Sequence, residues 1–205
     1  QEFKARFPEL AVRYYTANVR EPERLLDLFK RHRPAVVLHA AAYKHVPLME
    51  DDNAIEALRT NVLGTLGAAR AATASGAQRF VLISTDKAVN PTNIMGASKR
   101  FAEAYCQYLD RTSDKTRFMT VRFGNVLGSA GSVVPLFTRQ IAEGGPVTVT
   151  HAEIERYFMT IPEAVRLVIA ASAHGLKAGA DRGRIFVLEM GKPIREALQT
   201  ELRAV

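Results

Sequence analysis

Short apolar runs rich in β-branched residues alternate along this chain with longer stretches of helical period. That alternation is the mark of β-α-β units wound into a parallel sheet. Ala11–Val19 reads as a strand, and Pro22–Arg33 as a helix with Leu25, Leu28 and Phe29 on one face. Ala35–His39 is a short buried strand. Asn53–Ser75 is a long helix whose core stripe is expected to be Ile55, Leu58, Val62, Leu66 and Ala69, with Gly76 as its stop. Phe80–Ser84 is another buried strand, Asn93–Asp110 a helix and Phe118–Phe123 a strand. Ser132–Glu143 looks helical, Val147–Val149 a small strand, Pro162–His174 a helix and Arg184–Leu188 the last strand. This order predicts a Rossmann-like, doubly wound α/β fold. No repeat, low-complexity tract or linker interrupts it, so residues 1–205 read as one domain.

Ligands of such sheets bind at the carboxyl ends of the strands, so the residues just after each strand matter most. After the second strand, Ala40, Ala41 and Ala42 would let a flat cofactor approach the backbone; plain packing at a turn is the alternative. His39 and His45 stand six apart, but the cysteine and acidic partners of a metal site are not arranged around them, and no metal is expected.

After the next strand come Ser84, Thr85, Asp86 and Lys87, then Met95 and Lys99 at helical i, i+4 spacing. Lys99 should therefore point to the strand ends, with Phe101, Ala104, Tyr105 and Tyr108 turned to the core. Acid–base chemistry needs an Asp that can hold or release a proton and a Lys whose pKa is lowered by its neighbours. An Asp86–Lys ion pair that merely closes the turn is the alternative. Further on, Gly124 and Gly128 permit tight turns around Asn125, and Arg156 offers a guanidinium fork for a diphosphate or, more plainly, a surface charge.

Composition narrows the setting. The formal net charge is +7, from 28 basic and 21 acidic residues, which suits an anionic partner. Lys30-Arg31-His32-Arg33, the densest basic cluster, closes a helix and opposes its dipole. Basic and aromatic residues do not interleave as in single-strand binders, so nucleic acid is not expected. Ala164–Ala173, the best apolar run, is broken by Arg166 and falls short of the roughly 18 residues a membrane span needs. No secretory signal is visible, and the lone Cys106 fits a reducing compartment, so the cytoplasm is expected.

The segments HAAAYKHVPLMED, TNVLGT, STDKAVNPTNIMGASKR, RFGNVLGSAGSVVPLF and RYFMTIPEA together resemble one family. They are similar to the polysaccharide-biosynthesis branch of the extended short-chain dehydrogenases, the UDP-N-acetylglucosamine 4,6-dehydratases, over roughly Phe7 to Lys192. The likeness is strongest to large members anchored at the cytoplasmic side of the inner membrane. Met95 stands where the wider superfamily has tyrosine, a departure shared by the large-dehydratase branch.

The resemblance implies a UDP-sugar substrate, NAD or NADP as cofactor, and a homo-oligomer in which Asn53–Ser75 pairs with Asn93–Asp110. It implies catalytic roles for Thr85, Asp86, Lys87, Met95 and Lys99, with Lys99 also on the nicotinamide ribose. Asn18, Val19, Ala40, Ala41, Ala42 and Asn61 would line the cofactor, and Lys44, His45, Asn125, Val147 and Arg156 the substrate. The family's glycine-rich pyrophosphate turn does not occur in the sequence, and the Asp usual beside the adenine is Asn18. A chain lacking the first β-α-β unit is expected, with a gap in the sheet between Ala11–Val19 and Val36–His39.

Overall fold

A computed structural model describes residues 5–128, 133–148, 155–174 and 181–188, with 190, 192, 194 and 195. Four parallel strands form the central sheet: β1 Val36–His39, β2 Arg79–Thr85, β3 Arg117–Phe123 and β7 Ile185–Val187, in the order β1-β2-β3-β7. Short ladders stand at its carboxyl end: β4 Asn125–Val126 runs parallel to β6 Phe158–Met159, and β5 Glu155–Arg156 antiparallel to β8 Ile194–Arg195. The helices are α1 Pro22–His32; α2, running through Ala54–Ala57, Leu58–Leu63 and Gly64–Ser75; α3 Ile94–Thr112; α4 Val133–Ala142; and α5 Ile161–His174.

Because β2 and β3 are buried on both faces, their side chains divide between two cores. Phe80, Leu82 and Phe118 point to one face, where Leu25, Ala68, Ala72, Ala102 and Cys106 of α1, α2 and α3 cover them. Val81, Met119 and Val121 point to the other, against Val168 and Ala171 of α5. Helices on both faces make this the doubly wound α/β sheet expected from the alternation of apolar runs.

Four expectations fail. Ala11–Val19 forms no strand; its residues are mostly exposed and join no ladder. A strand exists only through a partner, and the outer edge of β1, with Val36 and Leu38 40% and 56% exposed, is paired to none of the described residues. Instead the segment's end presses on α2, where a Cβ on Gly64 would stand 2.8 Å from Val19 Cγ2. Second, Ile55 and Leu58 are exposed, and α2 buries Ala57, Asn61, Val62, Thr65, Ala68 and Ala69. The Leu58–Leu63 turns are π-helical, which rotates the buried stripe relative to an even 3.6-residue period. Third, Phe101 and Tyr108 of α3 are 61% and 59% exposed, while Met95, Ser98, Lys99, Ala102, Glu103, Cys106 and Asp110 face inward. Val147 and Thr148 are not a strand either; Thr148 is tied to Gln140 of α4, and Val149 lies outside the described residues.

Candidate active site

The carboxyl ends of β1, β2 and β3 open into a cleft of about 490 Å³. Ala40 and Ala42 form the wall after β1, with Lys44 and His45 beyond them. Thr85 and Lys87 come from the end of β2, Met95 and Lys99 from the first turns of α3, and Asn125 and Arg156 from the ladders after β3. Four of these side chains are cationic, and among the described residues no carboxylate, Asp86 included, is on the wall.

Local structure explains how the β2 end is presented. Asp86–Ala88 is a single 3₁₀ turn, and Thr85 before it is extended. The Thr85 hydroxyl donates to Asp86 Oδ1 at 2.8 Å, and Lys87 Nζ donates to the same oxygen at 3.0 Å. One carboxylate oxygen is thus taken up by its two neighbours. Its Oδ2 lies beside Gly124, where a Cβ would stand 3.3 Å away. With Asp86 42% and Lys87 29% exposed, the pair is half solvated and contributes under about 1 kcal/mol to stability.

Lys99 is buried, and its Nζ donates to the Ile83 carbonyl at 2.7 Å. Burial pushes its ammonium down to about 8, against the pull of the Glu103 carboxylate. The α3 start is fixed by caps: Asn93 accepts from Gly96 N at 2.8 Å, and Glu50, 44 residues away, accepts from Ile94 N at 2.9 Å. Glu50 thereby ties the loop that carries Lys44 and His45 to the helix that carries Lys99. Met95 is buried against Met49 and Ala57. A thioether has no proton to give, so any proton transfer here falls to other groups.

Of the other expected positions, Ala41 is not on the cleft wall, and neither are Asn61, Asn18, Val19 and Val147. Asn61 is buried, accepts from Tyr43 N at 2.8 Å, and donates to Tyr43 O at 3.0 Å and Ser98 Oγ at 2.9 Å. Its amide holds the alanine wall in place from behind. Asn18 caps a turn, accepting from Arg20 N at 3.0 Å, and Val19 packs on Gly64.

Buried polar groups missed in the sequence support the same wall. His39 Nε2 lies 3.0 Å from Thr65 Oγ1, whose proton goes to the Asn61 carbonyl at 2.7 Å, so Nε2 carries the hydrogen. Burial and the nearby Lys99 charge lower the His39 pKa to about 4. Glu103, wholly buried, pairs with Arg122 of β3. Only the i, i+4 spacing of Glu103 from Lys99 signalled it in the sequence.

The arrangement can hold an anion and move protons at its β2 side. On the β1 side Ala40 and Ala42 bring only small side chains to the wall, and Lys99 lines the same cleft. The capsular polysaccharide biosynthesis protein CapD of Staphylococcus aureus is 56% identical over 179 residues, 87% of this chain and 29% of CapD. The chain thus spans under a third of the length of that curated relative. The structure of Pen from Bacillus thuringiensis superposes with a TM-score of 0.86 at 35% identity, over 98% of this chain and 60% of Pen. DesIV of Streptomyces venezuelae, a dTDP-glucose 4,6-dehydratase solved with NAD and TYD bound, shares the fold at a TM-score of 0.81 and 20% identity, over 97% of this chain and 65% of DesIV. The family model for polysaccharide biosynthesis proteins matches residues 1–202, and the chain belongs to that family.

Proposed function

We propose that this domain dehydrates a UDP-N-acetylhexosamine, UDP-N-acetylglucosamine in the first instance, to the 4-keto-6-deoxy sugar in surface-polysaccharide synthesis. The observation that carries the reading is Thr85, Lys87 and Lys99 together on one cationic cleft wall, with the Asp86 carboxylate behind it hydrogen-bonded to both Thr85 and Lys87. Arg156, Lys44 and His45 would take the diphosphate end of the substrate, with Asn125 on the uridine side. Ala40, Ala42 and Lys99 would hold NAD or NADP, which would supply a reversible hydride acceptor when bound. No G-x-x-G-x-x-G turn occurs in the sequence, so the pyrophosphate has no such cradle in residues 1–205.

Oxidation at C4 requires a base for the 4-hydroxyl proton, and Lys87 or Asp86 is the group at hand. The resulting ketone acidifies C5, where Lys87 removes the proton. Asp86 protonates the 6-hydroxyl, the C6–O bond breaks and water leaves. As C6 is reduced, the Lys87 proton returns to C5, so the net change is loss of one water. Thr85 orients the sugar, and Lys99 keeps positive charge beside the nicotinamide ribose.

A second reading is nucleotide-sugar binding without turnover, favoured by the Asp86 carboxylate lying off the cleft wall. A C4 epimerase is disfavoured because Met95 replaces the tyrosine that such enzymes use. We further propose a homodimer through α2 and α3, whose exposed Ile55, Leu58, Leu63, Phe101 and Tyr108 are large and apolar. A cytoplasmic setting follows from the cytosolic supply of nucleotide sugars; among the described residues no helix is long and apolar enough to cross a membrane.

Calorimetric titration with NAD+ and with UDP-N-acetylglucosamine, followed by assay of the 4-keto product, tests the reading. Binding of both with product formation supports dehydration. Sugar binding alone favours the second reading, and binding of neither defeats both.

A further inference from the structure

Both flanks of the Thr85–Asp86–Lys87 segment are tied to one buried ion pair. Glu103 of α3 holds Arg122 of β3 through both carboxylate oxygens: Arg122 Nε donates to Oε1 at 2.7 Å, and Nη2 donates to Oε2. The same Oε1 accepts the Ser84 hydroxyl at 2.6 Å, one residue before the segment. The same Nη2 donates to the Ala88 carbonyl at 3.3 Å, one residue after it. Glu103 and Arg122 are both buried, and neither is on the cleft wall. They act on the cleft from behind its wall, through Ser84 and Lys99, which line it, and through the three residues they bracket.

Stability alone is a poor reason for this pair, because desolvating two charges often cancels their attraction and an apolar pair of similar volume does as well. What the charges add is direction. A guanidinium fork on a carboxylate fixes a plane, and the spare valences on each side fix Ser84 and Ala88 within that plane. The backbone of the turn makes one 3₁₀ bond of its own, Val89 N to Asp86 O at 3.0 Å, so its placement rests on side-chain bonds and on packing against α3. Acid–base groups misplaced by an ångström lose most of their effect.

We infer that the buried Arg122–Glu103 pair is a positioning device that sets the backbone of Thr85, Asp86 and Lys87 at the end of β2. The inference rests on the reading that Asp86 and Lys87 make the proton transfers.

Hydrogen exchange read by mass spectrometry separates this role from general support of the fold. In Glu103→Gln and in Arg122→Met, amides 84–89 should exchange about tenfold faster, while 79–83 of β2 keep their protection. Turnover should drop with KM for the sugar changed by about twofold or less. Should either single variant fail to fold, the double variant Glu103→Leu with Arg122→Met, which leaves neither member of the buried pair behind and only the half-exposed Arg100 without its Glu103 partner, carries the same expectation. Unchanged exchange at 84–89 in a folded variant, or equal loosening across the whole sheet, overturns the inference. If the unmodified protein makes no 4-keto product, the reaction reading falls, and the exchange pattern still decides the positioning.

Discussion

Gly96, in the first turn of α3, lies flat against the carbonyl oxygen of Lys87, closer than any side chain allows. Its φ is unremarkable for a helix, so the glycine is there for space and not for backbone freedom. A methyl group would have to push the Lys87 carbonyl, and with it the Asp86–Lys87 turn, away from the helix. Gly96→Ala should keep the fold, lower stability by about 1–3 kcal/mol and reduce turnover about a hundredfold. Denaturant midpoints beside steady-state rates check this; a fully active alanine variant would show the turn has slack.

His39 ties stability to acid pH. Its pKa is about 4 in the fold against 6.5 when unfolded, so below pH 6.5 the unfolded chain takes up a proton that the folded chain refuses. The contribution is fully present above 6.5 and is lost as pH falls to about 4, by about 3 kcal/mol at this size of shift. Urea midpoints between those limits should fall in the native protein. In His39→Gln the fall in this window should shrink.

Lys99 acts in the alkaline range. Its folded pKa of about 8 lies below the ordinary 10.5, so the charged form burdens the fold at and below pH 8. Stability should rise as pH climbs from 8 to 9, where the unfolded chain still holds the Lys99 proton, and level off above 9, where the buried Cys106 thiol, pushed up to about 12, keeps a proton that the unfolded chain loses. Lys99→Met should lose the rise between 8 and 9 and should abolish turnover. A slope unchanged by the substitution would assign the effect to another group.

Asn61→Ala would leave the part-buried Tyr43 amide and carbonyl without their partner. A loss of about 1–3 kcal/mol is expected, with faster amide exchange around Ala40–Tyr43 and weaker NAD+ binding by calorimetry. Loss of stability with cofactor affinity intact would confine Asn61 to the fold.

The proposed dimer is tested on its own. Phe101→Glu with Tyr108→Glu should sediment as a monomer at micromolar concentration while the unmodified protein sediments as a dimer. A native monomer would remove α2 and α3 as the interface.

Much of this protein was legible before any coordinates. Phe80–Ser84 and Phe118–Phe123 are continuous apolar runs too short for helices, and they became β2 and β3 with one or two residues added at their ends. The capping Asn93 announced α3, and the i, i+4 pair Met95 and Lys99 faces the strand ends as the spacing requires. These signals are local: a helix face or a buried strand is written in neighbouring residues. The candidate chemistry was legible for the same reason, because strand ends in a parallel sheet converge whatever the details of packing.

The failures share the opposite cause. Whether Ala11–Val19 becomes a strand depends on an edge elsewhere, not on its own pattern. Phe101 and Tyr108 look like core residues in sequence, but the sheet meets α3 along Ser98, Ala102 and Cys106, and that contact is set by the register of β2 and β3. Asn61 reads as a ligand-facing amide until Tyr43 and Ser98 are seen to use it up. Glu103 and Arg122 read as two surface charges, 19 residues apart, until α3 is laid on β3. The sequence by itself determined the elements and the residue types at their ends, since those follow from short-range periodicity. Tertiary structure alone decided which polar groups reach the cleft and which hold its wall in place, since a buried charge or amide has meaning only through the distant partner that satisfies it.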